Sequence, residues 1–242
     1  MNYNIKLFIA IPSGDNKIYS KTTLSLLKLC KLLDSEYISY NVKFYYGSLI
    51  PRIRNEITND FLKTDSTHLL FIDSDIFNYE KYIINLLKKD VLVCGCSYPI
   101  KSYNNYLLME NIKNKKNLFD SACLYNINLF SNDINENLNN IDEDGFLKVK
   151  HLPTGFLLIK NATFLRLKNK VKKYLDSNNE WIHNFFDVRI YNNKLLSEDY
   201  SFSQLCIDNN INNYCLVDSS IGHIGYNNFN GTLKKMLINF KT

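Results

Sequence analysis

The sequence lacks the features that place a chain in a membrane or in an oxidising compartment. No apolar stretch approaches the ~20 residues needed to span a bilayer, and the first residues contain no apolar segment of a signal peptide. The six cysteines follow no regular spacing, and Cys94-Gly95-Cys96 lacks the two-residue spacer of zinc and redox motifs. We therefore expect buried thiols in a soluble, cytoplasmic protein.

A strong charge of either sign is also missing. The net charge is +5 over 242 residues, and the lysines are scattered, with short runs only at 113–116 and 168–173. Such a distribution is typical of a solvated surface rather than of a groove that follows phosphates, so we expect no nucleic-acid partner. The 45% hydrophobic content excludes a disordered chain, and this length can bury a substantial core.

The order of apolar segments predicts an α/β fold. Short apolar segments alternate with segments of helical periodicity over the first hundred residues, which predicts βαβ units and a mainly parallel sheet with helices on both faces. We find no internal repeat, and 101–144 reads as an irregular excursion with one or two edge strands. The predicted strands are 5–11, 42–46, 69–72, 91–95, 146–152, 156–159 and 214–217, and the predicted helices are 22–33, 53–62, 80–87, 162–167 and 198–207.

Two carboxylates follow the predicted strand 69–72, in the tripeptide Asp73-Ser74-Asp75. Ligands of open α/β sheets bind outside the carboxyl ends of the strands, and strand alternation would place both acids on one side with Ser74 between them. Oxygen ligands at this spacing suit Mg²⁺ or Mn²⁺, which take further ligands from water and phosphates. The tripeptide is equally compatible with a helix cap, where Asp and Ser are favoured.

Arg54 is a second candidate from its own context. It lies in the first turn of a predicted helix opened by Pro51, where backbone N–H groups and a guanidinium can both face an anion. A surface salt bridge explains the residue equally well, and Arg52 is an alternative anion ligand.

Four segments in the same order carry a resemblance to a known family. They are Arg54-Asn55, Asp73-Ser74-Asp75, the turn and strand at 153–159 (Pro-Thr-Gly-Phe-Leu-Leu-Ile), and Ser197-Glu198-Asp199 followed by Gly222-His223-Ile224-Gly225. Together they resemble metal-dependent glycosyltransferases of the GT-A fold, and most of all the small glycan-building transferases of chloroviruses and other giant DNA viruses. The likeness spans about 7–231, but 101–140 matches nothing in the family.

The resemblance implies a fold and a division of the chain. The expected fold is a Rossmann-like three-layer α/β sandwich with a mainly parallel central sheet and a small antiparallel edge. One domain would cover 1–242, with a nucleotide-binding half at 1–100 and an acceptor-side half at 101–242. A viral member of the family would work in the host cytoplasm or the virion.

The resemblance also implies a metal site. Asp75 would bind the metal, Asp73 would contact the ribose or a metal-bound water, and His223 would supply a further ligand. Because imidazole is a better partner for Mn²⁺ than for Mg²⁺, Mn²⁺ is favoured, with Mg²⁺ as the alternative. A lone histidine between glycines is otherwise most often a turn residue. The partners would be a nucleotide-diphosphate sugar, with a UDP-sugar favoured, and a glycan or other hydroxyl acceptor.

The remaining implied roles concern the nucleotide sugar. The backbone of Ile11-Pro12-Ser13 would hold the base and ribose, Arg54, Asp73 and Ser74 would lie near the nucleotide, and Thr154-Gly155 would lie under the donor sugar. Glycine permits the close backbone approach, although these two residues also fit an ordinary turn.

The implied catalytic residues are Asp199 and Glu198. Asp199 would accept the proton of the acceptor hydroxyl in an inverting transfer, and Glu198 would assist by binding acceptor or donor. The two acids also fit a simple stabilisation of the helix start, capped by Ser197, a placement that lowers the pKa of an aspartate. If Asp199 is structural, a retaining transfer is the alternative.

Three other functions compete with this hypothesis. A sugar-phosphate nucleotidyltransferase needs a Gly-rich, Arg-containing loop after the first strand, whereas Ile11-Pro12-Ser13-Gly14 is short and lacks arginine. A haloacid-dehalogenase-type phosphatase has Gly-Thr or a similar pair after its acids, whereas Ile76-Phe77 follow here. A non-catalytic nucleotide- or carbohydrate-binding protein on the same fold is the third.

Overall fold

A seven-stranded sheet organises the computed structural model, which describes residues 5–114 and 122–239. The strands are β1 (Lys6–Ser13), β2 (Ser39–Tyr46), β3 (His68–Ile72), β4 (Ile76–Phe77), β5 (Val93–Cys96), β6 (Pro99–Tyr103), β7 (Cys123–Tyr125), β8 (Phe146–Val149), β9 (Phe156–Lys160), β10 (Lys173–Leu175), β11 (Trp181–His183), β12 (Arg189–Tyr191), β13 (Lys194–Leu196), β14 (Asn213–Leu216), β15 (Gly222–Ile224) and β16 (Asn228–Phe229). The helices are α1 (Ser20–Ser35), α2 (Ile50–Leu62), α3 (Ile83–Lys89), α4 (Asn105–Lys113), α5 (Ile134–Asn139), α6 (Asn161–Leu167), α7 (Glu198–Asp208) and α8 (Leu233–Asn239), with a 3₁₀ turn at Glu80–Tyr82.

The central sheet has the strand order β2-β1-β3-β9-β5-β14-β8. β1 pairs in parallel with β2 and β3, and β5 pairs in parallel with β14. β9 is antiparallel to both of its neighbours, β3 and β5, and β8 is antiparallel at the edge beside β14. Five of the seven strands therefore run in one direction, which confirms a mainly parallel sheet, and β9 begins at the edge where β3 and β5 end.

Both faces of the sheet are covered, as the sequence predicted. Alternate residues of β1 face opposite sides: Phe8 packs with α2, α6 and α7 on one side, and Ile9 packs with α1 and α3 on the other. Such alternation follows from the period of two in a strand, and strands buried on both faces are continuously apolar. The chain is thus a layered α/β structure with a Rossmann-like arrangement.

The predicted strands and helices are confirmed, with differences at their ends. The predicted helix 80–87 begins with the 3₁₀ turn and continues as α3, and the predicted strand 146–152 ends at Val149. The predicted excursion 101–144 contains β7 and most of β6, in agreement with the one or two strands expected there, and these strands pair with each other rather than with the central sheet. The helices α4 and α5 within it were not predicted. Part of this excursion, 115–121, lies outside the described residues.

The cysteines carry free thiols and are mostly buried. None of the six cysteines forms a disulfide, and all except Cys30 are buried, which confirms buried thiols. Burial raises the pKa of the Cys94 thiol to about 12, so this thiol stays protonated. Within 5–114 and 122–239, no helix combines the length and apolar character that crossing a bilayer requires.

Candidate functional site

The candidate site lies at the edge of the sheet where β1, β3 and β5 end and β9 begins. Asp73 directly follows β3, Tyr98 follows β5 by two residues, and Gly155 directly precedes β9. The antiparallel register sets Ile72 opposite Phe156, and the Asp73 N–H donates to the Gly155 carbonyl at 2.9 Å. The direction of β9 therefore brings the predicted turn at Thr154-Gly155 beside the predicted acids.

The chain turns after β3, which separates the two aspartates. The Asp73 carbonyl accepts the Ile76 N–H at 3.4 Å, and the short strand β4 follows instead of a helix. The tripeptide Asp73-Ser74-Asp75 therefore caps no helix, and the simple strand alternation that we expected does not continue through it. Each aspartate has its own set of partners.

A buried arginine links the first aspartate to the start of α7. Arg54 lies in α2, only 3% exposed, and its Nη2 donates to Asp73 Oδ1 at 2.9 Å while its Nε donates to Glu198 Oε1 at 3.4 Å. Burial opposes its charge, but the two carboxylates outweigh burial and raise the pKa of Arg54. The surface salt bridge that we weighed for Arg54 is wrong, whereas Arg52 is exposed. Pro51 opens the helix that sets Arg54 at this point.

Tyr98, which the sequence analysis did not identify, joins the strand end to the turn before β9. Its hydroxyl donates to Asp73 Oδ2 at 3.2 Å and accepts the Gly155 N–H at 3.1 Å. A Cβ added to Gly155 would lie 2.2 Å from the Tyr98 hydroxyl oxygen and 2.7 Å from Asp73 Oδ2. Gly155 is therefore required by the packing of Tyr98 and Asp73 themselves. No local pattern marks Tyr98 in the sequence.

The second aspartate faces a histidine and a lysine. Asp75 Oδ2 lies 3.3 Å from His223 Nε2 and 2.6 Å from Lys101 Nζ. The His223 ring also meets the Tyr98 ring edge to face, with centroids 5.2 Å apart. Burial raises the pKa of Asp75, but His223 and Lys101 outweigh burial, so the net pKa is below its usual value and the carboxylate is ionised at neutral pH.

A backbone carbonyl fixes the position of the hydrogen on the His223 ring nitrogen Nδ1. Nδ1 lies 2.8 Å from the Pro99 carbonyl, which can only accept a hydrogen bond, so Nδ1 carries the hydrogen. Nε2 is therefore the ring nitrogen that faces Asp75. A backbone carbonyl on the second nitrogen is one of the ways in which proteins orient a metal-binding histidine.

These donors fit a divalent cation with a partly open coordination shell. Asp75 and His223 offer one oxygen and one nitrogen ligand, while both Asp73 oxygens are engaged by Arg54 and Tyr98. Over the described part of the chain, no group of three His, Cys, Asp or Glu side chains is placed to hold a metal. The remaining ligands would have to be water and substrate phosphates, a pattern common for Mg²⁺ and Mn²⁺.

Asp199 lies at the start of α7, buried and held by three donors. Its Oδ1 accepts hydrogen bonds from the Ser197 hydroxyl and from the Tyr200 N–H, the latter at 2.8 Å. Its Oδ2 accepts a hydrogen bond from Asn126 Nδ2 at 3.3 Å. The Ser197 hydroxyl therefore bonds Asp199 and makes no cap bond to the helix. Asn126 belongs to the excursion in which the sequence analysis identified no site residue.

The pKa of Asp199 differs from the expectation. We predicted that the helix start would lower it, and this is wrong, because burial outweighs the hydrogen bonds of Ser197 and Tyr200 and raises the pKa. The pKa of Glu198 is raised as well, since burial outweighs the attraction of Arg54. Raised values make both carboxylates stronger bases than ordinary surface acids.

The remaining predicted nucleotide-binding residues line the same edge. β1 pairs with β3 only as far as Ala10, so Ile11-Pro12-Ser13 extends beyond this pairing. The Ile11 side chain is in the core, and the Ser13 hydroxyl bonds the backbone of Lys17. The Ser74 carbonyl accepts the Tyr19 N–H at 3.1 Å, and Thr154 is buried. Any ligand contact of Ile11 would thus be made by its backbone.

Trp181 and His151 fall outside the site. Trp181 is 62% exposed, whereas the neighbouring Phe185 and Phe186 are buried in the core. His151 is buried between Asn128 and Gln204 and stacks on Tyr200.

Comparison with known proteins gives distant structural likeness only, and no match in sequence. No protein-family model matches the sequence, and no curated protein matches it. Among solved structures, the chain is similar to the crystal structure of A197 from STIV, with a TM-score of 0.49 and 15% identity over 91% of this chain and 86% of that chain. At this level of similarity the likeness indicates no residue role.

Proposed function

We propose that the protein is a metal-dependent GT-A glycosyltransferase that moves a sugar from a nucleotide-diphosphate sugar to a hydroxyl acceptor with inversion. The observation that carries the proposal is a cluster of four carboxylates. The buried Arg54 joins Asp73 to Glu198, which Asp199 directly follows, and Tyr98 bonds Asp73 while its ring meets the His223 ring beside Asp75. Asp73 and Asp75 follow the carboxyl end of β3 in a mainly parallel sheet, where open α/β sheets bind ligands.

Asp75 and His223 would hold the metal, which supplies Lewis-acid stabilisation of the leaving diphosphate when bound. His223 is pre-oriented by Pro99, and Asp75 is already ionised at neutral pH. Mn²⁺ suits the mixed oxygen and nitrogen donors better than Mg²⁺ does. Asp73 would face the nucleotide, and Arg54 fixes the direction in which Asp73 and Glu198 point.

Asp199 would take the proton of the acceptor hydroxyl as that oxygen attacks the anomeric carbon. Three hydrogen bonds fix its carboxylate, and burial gives it a higher basicity than a solvated aspartate has. Glu198, which is clamped by Arg54, would bind the acceptor or the donor sugar. The donor favoured by the resemblance is a UDP-sugar.

The test compares sugar-nucleotide turnover with and without a chelator. Release of nucleoside diphosphate from a panel of nucleotide sugars should disappear with EDTA and return with Mn²⁺ more strongly than with Mg²⁺. Asp75→Asn should lower turnover by about a hundredfold or more, since a Lewis acid contributes several kcal/mol. Asp90→Asn is the matched control, because Asp90 also pairs with a lysine at 2.6 Å but lies at the far edge of the sheet.

A second variant isolates the proposed base. Asp199→Asn should abolish transfer while nucleotide binding is retained, because its carboxylate acts on the acceptor and not on the nucleotide. Turnover that ignores both EDTA and Asp75→Asn would refute the metal-dependent mechanism. Nucleotide binding without transfer to any acceptor would favour the non-catalytic binding protein.

A further inference from the structure

The Asp75 carboxylate is engaged by a lysine that none of the expected roles accounts for. Lys101 Nζ lies 2.6 Å from Asp75 Oδ2, the same oxygen that faces His223 Nε2 at 3.3 Å. Among the described residues, Lys101 is the one Lys or Arg whose side chain pairs with Asp75. Its ammonium thus supplies a positive charge at the oxygen where a divalent cation would bind.

The Asp75 oxygen is a position that stabilises positive charge. His223 Nδ1 donates to the Pro99 carbonyl, so Nε2 and the Lys101 ammonium are the two groups that face this oxygen. An ionised carboxylate attracts a cation placed beside it. An ammonium and a divalent cation on the same oxygen repel each other, so occupation by one disfavours the other.

The ammonium of Lys101 is placed so that it can move away from Asp75. Its side chain is 43% exposed, and its flexible four-carbon stem lies along the turn after β15. A Cβ added to Gly225 would lie 3.1 Å from Lys101 Cδ and 3.2 Å from Cγ, so the glycine provides the space for this stem. Movement of the ammonium breaks one half-exposed ion pair and no core contact.

We propose that Lys101 is an exchangeable internal cation: it pairs with Asp75 when no metal is bound, and its ammonium moves to the nucleotide diphosphate when a divalent cation binds Asp75. The proposal rests on the proposed function, because that function supplies the diphosphate. A lysine binds phosphate as a point charge, and the phosphates would lie beside the metal, within reach of the same stem. Lys101 would then add positive charge against the leaving group.

The proposal predicts changes of opposite sign in two affinities. Lys101→Met removes the competing charge, so Mn²⁺ should bind about fivefold more tightly without nucleotide, the scale of a partly exposed ion pair. With saturating Mn²⁺, UDP or GDP should bind about tenfold more weakly to Lys101→Met, because a charge-assisted hydrogen bond to phosphate is lost. The electron paramagnetic resonance signal of free Mn²⁺ measures the first affinity, and calorimetry measures the second.

Two controls separate this effect from general damage. Lys101→Arg keeps the charge and should leave the Mn²⁺ affinity near the wild-type value. Lys160→Met removes an ion pair of the same length, 2.6 Å to Asp90, at the far end of β9, and should change neither affinity.

The outcomes distinguish this proposal from the proposed function. Unchanged Mn²⁺ affinity in Lys101→Met, together with normal metal-dependent transfer, overturns the role of Lys101 and leaves the transferase function intact. Tighter Mn²⁺ binding with unchanged or stronger UDP and GDP binding overturns the transfer to phosphate. If neither UDP nor GDP binds any variant, the phosphate role and the proposed function with these nucleotides both fail, while tighter Mn²⁺ binding would still support the competition at Asp75.

Discussion

Replacing Arg54 by methionine should destabilise the protein by about 3 kcal/mol near neutral pH. Methionine preserves most of the length and the contact with the Phe71 ring, over which the guanidinium lies at 5.1 Å, but it removes the charge between Asp73 and Glu198. Breaking a buried ion pair by removing one partner costs about 3 to 5 kcal/mol. The carboxylates keep 24% and 19% side-chain exposure, so partial hydration places the loss at the lower end.

The same substitution should be less harmful at acidic pH. Burial already raises the pKa of Glu198. Arg54 opposes that rise, whereas Asp199 and Asp73 add to it. Without Arg54 the pKa of Glu198 rises further above its unfolded value. A carboxyl with a raised folded pKa binds its proton more tightly in the folded state, so stability is retained at low pH and lost as the pH rises through that pKa.

Urea denaturation of wild type, Arg54→Met and Arg52→Met at about pH 8 and about pH 5 measures both effects. Arg52 belongs to the same helix but is exposed, so its substitution should change the free energy of unfolding by less than about 0.5 kcal/mol. A loss in Arg54→Met no larger than in Arg52→Met would refute the argument. So would a loss that is equal or larger at the lower pH.

Two further predictions concern the neighbours of this network. Gly155→Ala should destabilise the protein by about 2 kcal/mol or more in thermal unfolding, because the new Cβ would lie 2.2 Å from the Tyr98 hydroxyl oxygen. Gly14→Ala is the control and should be nearly neutral, since a Cβ there would have no neighbour within 4 Å. Asn126→Ala removes a donor to the Asp199 carboxylate and should raise its pKa, so the acid limb of the transfer rate between about pH 5 and 9 should move to higher pH. A lower plateau with an unmoved midpoint would contradict the role of Asn126 in setting the pKa of Asp199.

Apolar runs predicted the strands of the sheet, but they carried no information about direction. The segment 156–159 reads as a buried strand whether it runs with its neighbours or against them, and the structure sets β9 antiparallel between β3 and β5. Direction depends on how the chain crosses from β8 at the sheet edge, through 150–155, to the middle of the sheet. That path is a tertiary property, which no local pattern contains.

Some missed elements did have a readable signal. β12 and β13 form a hairpin that pairs Tyr191 with Lys194 across the two-residue loop Asn192-Asn193. Both asparagines have positive φ, 47° and 62°, and asparagine is among the residues that adopt this region most readily. A short loop of two asparagines between apolar segments was therefore sufficient to predict the hairpin.

The site residues divide in the same way. Asp73, Asp75, Glu198 and Asp199 stand in local patterns, and the structure brings them together around Arg54 and Tyr98. Tyr98, Lys101 and Asn126 act only through contacts with segments distant in sequence, so nothing around them marks their position. The pKa of Asp199 illustrates the limit: the sequence shows the helix start that lowers it, but only the fold shows the burial that raises it.

The charge balance of the carboxylate cluster connects these observations. Asp73 and Glu198 pair with Arg54, and Asp75 pairs with Lys101, whereas uncharged donors hold Asp199. Four carboxylates are thus accompanied by two permanent cations. Like charges held together out of water disfavour ionisation, and the raised pKa values of Glu198 and Asp199 are the expected response, with burial as the main cause. A divalent cation at Asp75 would correct this imbalance by adding two positive charges and releasing the Lys101 ammonium. Binding of such a cation should therefore stabilise the fold as well as the bound diphosphate.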